Sequence, residues 1–142
     1  MPAYHDTHTV PYPPAQIFDL VADVEHYPEF LPWCRAARIL ERQADYFIAE
    51  LVIGFKHITE HYTSKVQLFP HERIEVTMLK GPFHHLTNRW EFYGENGGTR
   101  IEFFLDFAFR NKLLEKLIGG LFTRASEKMS EAFMARAEAL YG

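Results

Sequence analysis

Cysteine is nearly missing from this chain. A single thiol, Cys34, among 142 residues excludes an internal disulfide framework and a cysteine metal cluster. It points to a reducing compartment, so the expected location is the cytoplasm or the inner face of a membrane. Long apolar runs are missing too: no stretch reaches the roughly 20 residues that cross a bilayer as a helix. The N-terminus shows neither the basic start nor the apolar run of a signal peptide. There is no basic excess. A net charge of -4 argues against general nucleic-acid binding, and against DNA in particular, because neutralising phosphates needs a basic field.

Catalytic signatures are equally sparse. There is no Ser-His-Asp pattern, phosphate loop or dinucleotide fingerprint. His57 and His61 fall on an expected strand about 13 Å apart, too far to share a metal. His84 and His85 point to opposite faces. Glu50, Glu60 and Asp106 alternate with apolar residues and default to solvent. The expectation is a protein without a catalytic residue, a metal or a required cofactor.

What the chain has in quantity is aromatic surface. Hydrophobic residues make up 47% and aromatics 15% of it, with thirteen Phe. That ring volume calls for one substantial core, and the length fits a single domain over 1–142. The clearest patterning is C-terminal. From Gly98 to Arg110, Ile101, Phe103, Leu105, Phe107 and Phe109 alternate with polar residues, as on a strand with one buried face. From Asn111 to Tyr141, apolar residues recur at three- and four-residue steps from Leu113 to Leu140, the period of one long amphipathic helix. The strand's apolar face needs a cover, and the helix that follows supplies one.

Ahead of this pair, Ala3 to Pro11 reads as an edge strand, and Pro13-Pro14 opens a helix carrying Ile17, Phe18, Val21 and Val24 inward. Asp23 to Leu31 reads as a second short helix or turn interrupted at Pro28. Strands follow at Ala36–Glu41, Tyr46–Phe55, His57–Phe69, Arg73–Lys80 and Phe83–Glu95, with turns at Pro70-His71-Glu72, Gly81-Pro82 and Asn96-Gly97-Gly98. The predicted class is α+β: a curved antiparallel sheet of about seven strands, two short helices after the first strand, and a long C-terminal helix across one face.

Tyr27-Pro28-Glu29-Phe30-Leu31-Pro32-Trp33-Cys34, then Gly81-Pro82-Phe83 with Leu86 and Trp90, then the aromatic strand and closing helix, resemble the coenzyme-Q-binding branch of the START-domain superfamily. The resemblance spans essentially the whole chain and is most specific in its first stretch. It implies the helix-grip fold shared with Bet v 1-like proteins, with a hydrophobic tunnel between sheet and helix. It further implies non-enzymatic binding of a polyprenyl quinone such as ubiquinone, in support of respiration or quinone biosynthesis. Bacterial members of the branch are also described as ribosome-association toxins that block subunit joining, which makes the large ribosomal subunit an alternative partner. Related cyclases make an aromatase-type enzyme a third reading.

On this resemblance the expected cavity lining is Phe30, Leu31, Trp33, Leu51, Ile53, Phe55, Leu79, Phe83, Leu86, Trp90, Phe103, Leu105, Phe107, Leu114, Leu117, Ile118 and Leu121. An isoprenoid tail asks only for a dry lining, gaining about 25 cal/mol per Å² of apolar area buried. A quinone headgroup also wants a donor: Asn88, in phase with Leu86 and Trp90, and Tyr62 are the candidates, although Asn88 also reads as a satisfied core amide. The Tyr27–Cys34 stretch reads either as a plug for the end of the sheet or as the cavity mouth. Gly119-Gly120 interrupts the helix's apolar face at about 1 kcal/mol each. Room for a ligand or the sheet, a hinge, and a helix break all fit it. Lys112, Lys116, Arg124 and Lys128, extended by Arg110, form a basic row. It reads as a solvated face or as a contact for anionic lipid headgroups at a membrane periphery or for ribosomal RNA.

Overall fold

The computed structural model describes residues 3–55 and 57–142. Strands β1 (Ala3–Val10), β2 (Cys34–Arg42), β3 (Tyr46–Phe55), β4 (Ile58–Phe69), β5 (Arg73–Lys80), β6 (Phe83–Glu95) and β7 (Gly98–Phe109) form one sheet in the order β1-β7-β6-β5-β4-β3-β2. Each neighbouring pair is antiparallel. The meander from β2 to β7 follows from short turns. Asn96 and Gly97 both take positive φ, 47° and 81°, the geometry of a tight hairpin that Asn-Gly tolerates best. Register shifts at Cys34/Ala36 and Ile39/Glu41 in β2, Thr63/Ser64 in β4 and Phe83/His85 in β6 bend the sheet into a concave hand.

Helix α1 (Pro14–Ala22), with Pro in its first turn, buries Ile17, Phe18, Leu20 and Val21. A 3-10 helix at Val24–Glu29 contains Pro28 and buries Val24. Two helices then close the concave face: α2 (Lys112–Glu127) and α3 (Met129–Tyr141). The helix-grip architecture expected from the sequence is therefore present, with one correction. The covering helix is divided at Lys128, whose backbone sits at φ -102°, ψ 3°, and its N–H is shared between the Arg124 and Ala125 carbonyls at 3.3 and 3.2 Å.

Gly119-Gly120 is not the break. Both lie inside α2. A Cβ on Gly119 would meet Glu115 Cγ at 3.5 Å and Phe109 Cε2 at 3.8 Å, ordinary contacts, and one on Gly120 would meet nothing within 4 Å. Neither the sheet nor a ligand-sized space presses on them.

The division at Lys128 is accompanied by one local and one tertiary feature. Ser126, buried, turns its hydroxyl back onto the Phe122 carbonyl at 2.9 Å, a bond that bends helices. The first turn of α3 has no side-chain cap of its own. Instead Ser130, also buried, donates to Asp6 Oδ2 on β1 at 2.5 Å, which places a carboxylate near the positive end of the helix.

Candidate functional site: a cavity and its outer groove

The inner face of the sheet is tiled by two aromatic clusters, and each C-terminal helix contributes one ring. Phe122 of α2 packs on Phe107 at 4.6 Å and Phe83 at 5.0 Å between ring centroids. Phe133 of α3 packs on Trp90 at 4.9 Å, Phe30 at 5.1 Å and Tyr27 at 5.2 Å. Because the helix is divided between these two residues, each half can seat its own ring. Between the clusters, beneath Met129, lies a cavity of about 90 Å³.

Trp33, Leu51, Ile53, Tyr62, Phe83, Leu86, Asn88, Trp90, Phe103 and Leu105 face this cavity. The rest of the expected lining lies elsewhere. Leu31, Phe55 and Leu121 line an outer groove of about 380 Å³, with Pro32, Gly54, Arg124, Ala125, Lys128 and Ala132. Phe107, Leu114 and Ile118 are buried but pack as core outside the cavity lining. Phe30 is half-buried against Phe133 and lies under the Arg136 guanidinium at 5.1 Å.

Leu79 and Leu117 stand in solvent, 52% and 51% exposed. The inward set of β5 is Ile74, Val76 and Met78, so a period of two turns Leu79 outward. The buried line of α2 runs Leu114, Ile118, Phe122, and Leu117 is about 100° away from it. The basic row Arg110, Lys112, Lys116, Arg124 and Lys128 is exposed along the same helix.

Lining residues beyond the expected set include Val21, Val24, Tyr27, Ala49, Ser64, Val66, Ile74, Val76, Phe122, Met129 and Phe133. Ser64 was recoverable from its place between Tyr62 and Val66 on alternating β4. The helical apolar stripe already ran through Phe122, Met129 and Phe133, but the division that turns them onto the cavity is not written in it.

Every described side chain around the cavity is uncharged. Its polar groups are few. Asn88 is already engaged: its Nδ2 donates to the Phe104 carbonyl at 2.8 Å and its Oδ1 accepts from Trp90 Nε1 at 3.0 Å. Tyr27 donates to the Val21 carbonyl, and burial holds its phenol protonated far above the usual range. Burial does the same to Tyr62, against a weaker opposing influence from Ser64. Tyr62 and Ser64, two residues apart on β4, both line the cavity, and each hydroxyl carries a proton it can donate to a carbonyl oxygen. Cys34, buried next to Trp33 in the chain, has its thiol pushed up to about 11 by burial, against a weaker pull from the Ala36 backbone.

Trp33 and Met129 line both the cavity and the outer groove. They are the partition between the two spaces. A dry cavity of about 150 Å³ admits a benzene ring, so 90 Å³ is too small for a substituted ring until this partition moves. Met is unbranched and adapts easily. The arrangement can thus take an apolar guest by joining cavity to groove.

Residues 10–134 match the family described as polyketide cyclase / dehydrase and lipid transport. The chain is 41% identical over 142 residues to the ribosome association toxin RatA of Rickettsia prowazekii, covering 97% of each. It is 28% identical over 144 residues to a mitochondrial coenzyme Q-binding protein, COQ10 homolog B of Xenopus laevis, covering 98% of this chain and 59% of that one. Its fold superposes on an aromatase/cyclase of Streptomyces sp. R1128 with TM-score 0.84 at 21% identity, covering 96% and 93% of the two chains.

Proposed function

Because this chain belongs to the polyketide cyclase / dehydrase and lipid transport family, we propose that it binds an isoprenoid quinone of the ubiquinone type without acting on it chemically. The observation that carries this reading is the uncharged cavity between the two aromatic clusters, joined to an apolar groove across Trp33 and Met129. The tail needs only the largely apolar groove, and the Tyr62 and Ser64 hydroxyls offer a donor to a headgroup carbonyl. A cyclase would need ionisable groups at the reacting carbons to move enol protons, and the lining is neutral. The coenzyme Q-binding relative supports the choice of ligand. The role that follows is delivery or buffering of quinone for respiration or biosynthesis.

Organic extraction of the purified protein followed by mass spectrometry is expected to release a quinone. Filling the cavity sharpens the test. Ala49, fully buried in the lining, replaced by Leu should abolish quinone retention while the melting temperature holds or rises, as cavity-filling changes commonly add about 0.5–2 kcal/mol. Quinone retained by Ala49→Leu, or no saturable uptake of added quinone by the unmodified chain, overturns the assignment.

A second reading, contact with the large ribosomal subunit, is favoured by the name of the 41% identical relative and would use the exposed basic row rather than the cavity. Cosedimentation with ribosomal subunits, lost on charge reversal at Lys112, Lys116 and Arg124, is its expected signature.

A further inference from the structure

The solvent side of α2 carries apolar residues that the core does not use. Leu113 and Leu117 are 65% and 51% exposed, one turn apart, and Leu121 continues the line onto the rim of the outer groove. At about 100° per residue, Leu113, Leu117 and Leu121 share an arc of about 80° with Arg124 and Lys128, Lys116 lies about 60° outside it and Lys112 about 100°. Exposed Leu79 is carried by the β5–β6 hairpin, which is tied to the start of α2 through Arg110 Nη1 donating to the Gly81 carbonyl at 3.4 Å.

Most arginines elsewhere are paired: Arg38, Arg73, Arg89 and Arg100 on the sheet and Arg136 on α3 each hold a carboxylate within 3.5 Å, while Arg42 and Lys65 of the sheet lie over aromatic rings. No ion pair among the described residues engages Lys112, Lys116, Arg124 or Lys128. Glu115 lies about 160° round the helix from the leucine line, and exposed Glu127, about 40° from Leu113, is the one carboxylate of α2 beside it. A chain of net charge -4 therefore gathers a net positive excess, Lys116, Arg124 and Lys128 against Glu127, around its aligned exposed leucines.

Aligned leucines flanked by free cations are the pattern of a helix lying in a membrane interface, where apolar burial and attraction to anionic headgroups add. A nucleic-acid surface would use the cations but give the leucines nothing to bury into. We infer that α2 docks on an anionic lipid bilayer, with Leu113, Leu117 and Leu121 against the upper acyl chains and the surrounding Lys and Arg on the headgroups. Because Leu121, Arg124 and Lys128 also form the groove rim, docking turns the groove towards the membrane. As the entry route for a lipid, this surface rests on the binding reading above; as a surface, it is measured separately.

The test is cosedimentation of the whole chain with phosphatidylcholine vesicles, with and without phosphatidylglycerol, for the unmodified protein, Leu113→Ser/Leu117→Ser and Lys112→Glu/Lys116→Glu. The unmodified protein should bind the anionic vesicles, less so as salt rises. Each double variant should lose at least about tenfold in affinity with its melting temperature and quinone retention unchanged. Failure of the unmodified protein to bind anionic vesicles overturns the proposal. So does full binding by the leucine variant, or binding that only charge reversal removes and that ribosomal subunits displace, which would make this a surface for RNA. Quinone retention without vesicle binding sinks the docking surface alone, and vesicle binding without quinone sinks the ligand assignment alone.

Discussion

Asp6 sits on an edge strand, yet it fastens that strand to the second C-terminal helix. Its carboxylate accepts from Ser130, lies 2.7 Å from His8 Nε2 and accepts from the Thr7 N–H at 3.0 Å. Burial pushes the group up, but the hydrogen bonds from Ser130 and His8, the His8 charge and the Thr7 amide outweigh it and hold the carboxyl below its usual range. A depressed folded-state value means the stabilisation is present above the unfolded value, about 3.9, and is lost as pH falls through the folded one. Asp6→Ala also strands the buried Ser130 hydroxyl, so it should cost about 1–3 kcal/mol at pH 7. Thermal melts across pH should show the gap between variant and unmodified protein narrowing towards pH 3; a gap that stays constant would remove the carboxylate charge as its source. Residue identity alone was a poor guide at this scale. Asn88 faces inward as its phase on β6 demands, but Phe104 and Trp90 already engage both ends of its amide, whereas the cavity hydroxyls able to donate include that of a serine that composition did not single out.

At the scale of elements, strand limits were legible to within about two residues because alternation and turn chemistry agree along β3 to β7. The covering helix was not. Residues 126 to 130 contain no Gly or Pro, and the features that accompany the division at Lys128 are a serine hydroxyl turned back onto its own helix and a contact with a strand more than a hundred residues away. The Gly pair drew attention instead because it is the strongest local breaker in the stretch. With open space at Gly120 and ordinary contacts at Gly119, Ala at either position should raise stability by about 1 kcal/mol and leave quinone retention unchanged. Chemical denaturation of the two single variants and the double reads this directly, and a destabilised Gly120→Ala would contradict an unconstrained helix there.

At the scale of the molecule, strand β7 is flanked by β1 and β6 and carries buried Ile101, Phe103, Leu105 and Phe107. The 3-10 helix and the Lys128 junction have no such ladder. Native-state hydrogen exchange should therefore be slowest in β7 and β6 and fastest around Val24–Glu29 and Lys128. A bound quinone should add protection at residues 31–34 and near Met129, and no change there would place the ligand elsewhere. A seven-stranded sheet gripped by C-terminal helices could be reasoned from period and order. The cavity could not, because 90 Å³ is the small difference between large packed volumes and depends on where two helix halves set two rings.

The partition of Trp33 and Met129 sets a clock. Rotation of those two side chains breaks none of the ladder that holds the sheet. Trp33 and Met129 are half-buried, so their rotation is slower than the picoseconds to nanoseconds of exposed side chains, yet it does not wait on local unfolding, which takes microseconds to seconds. For a quinone bound as proposed, residence time would then be governed by how tightly the guest itself is held, and exchange would need no unfolding of the sheet.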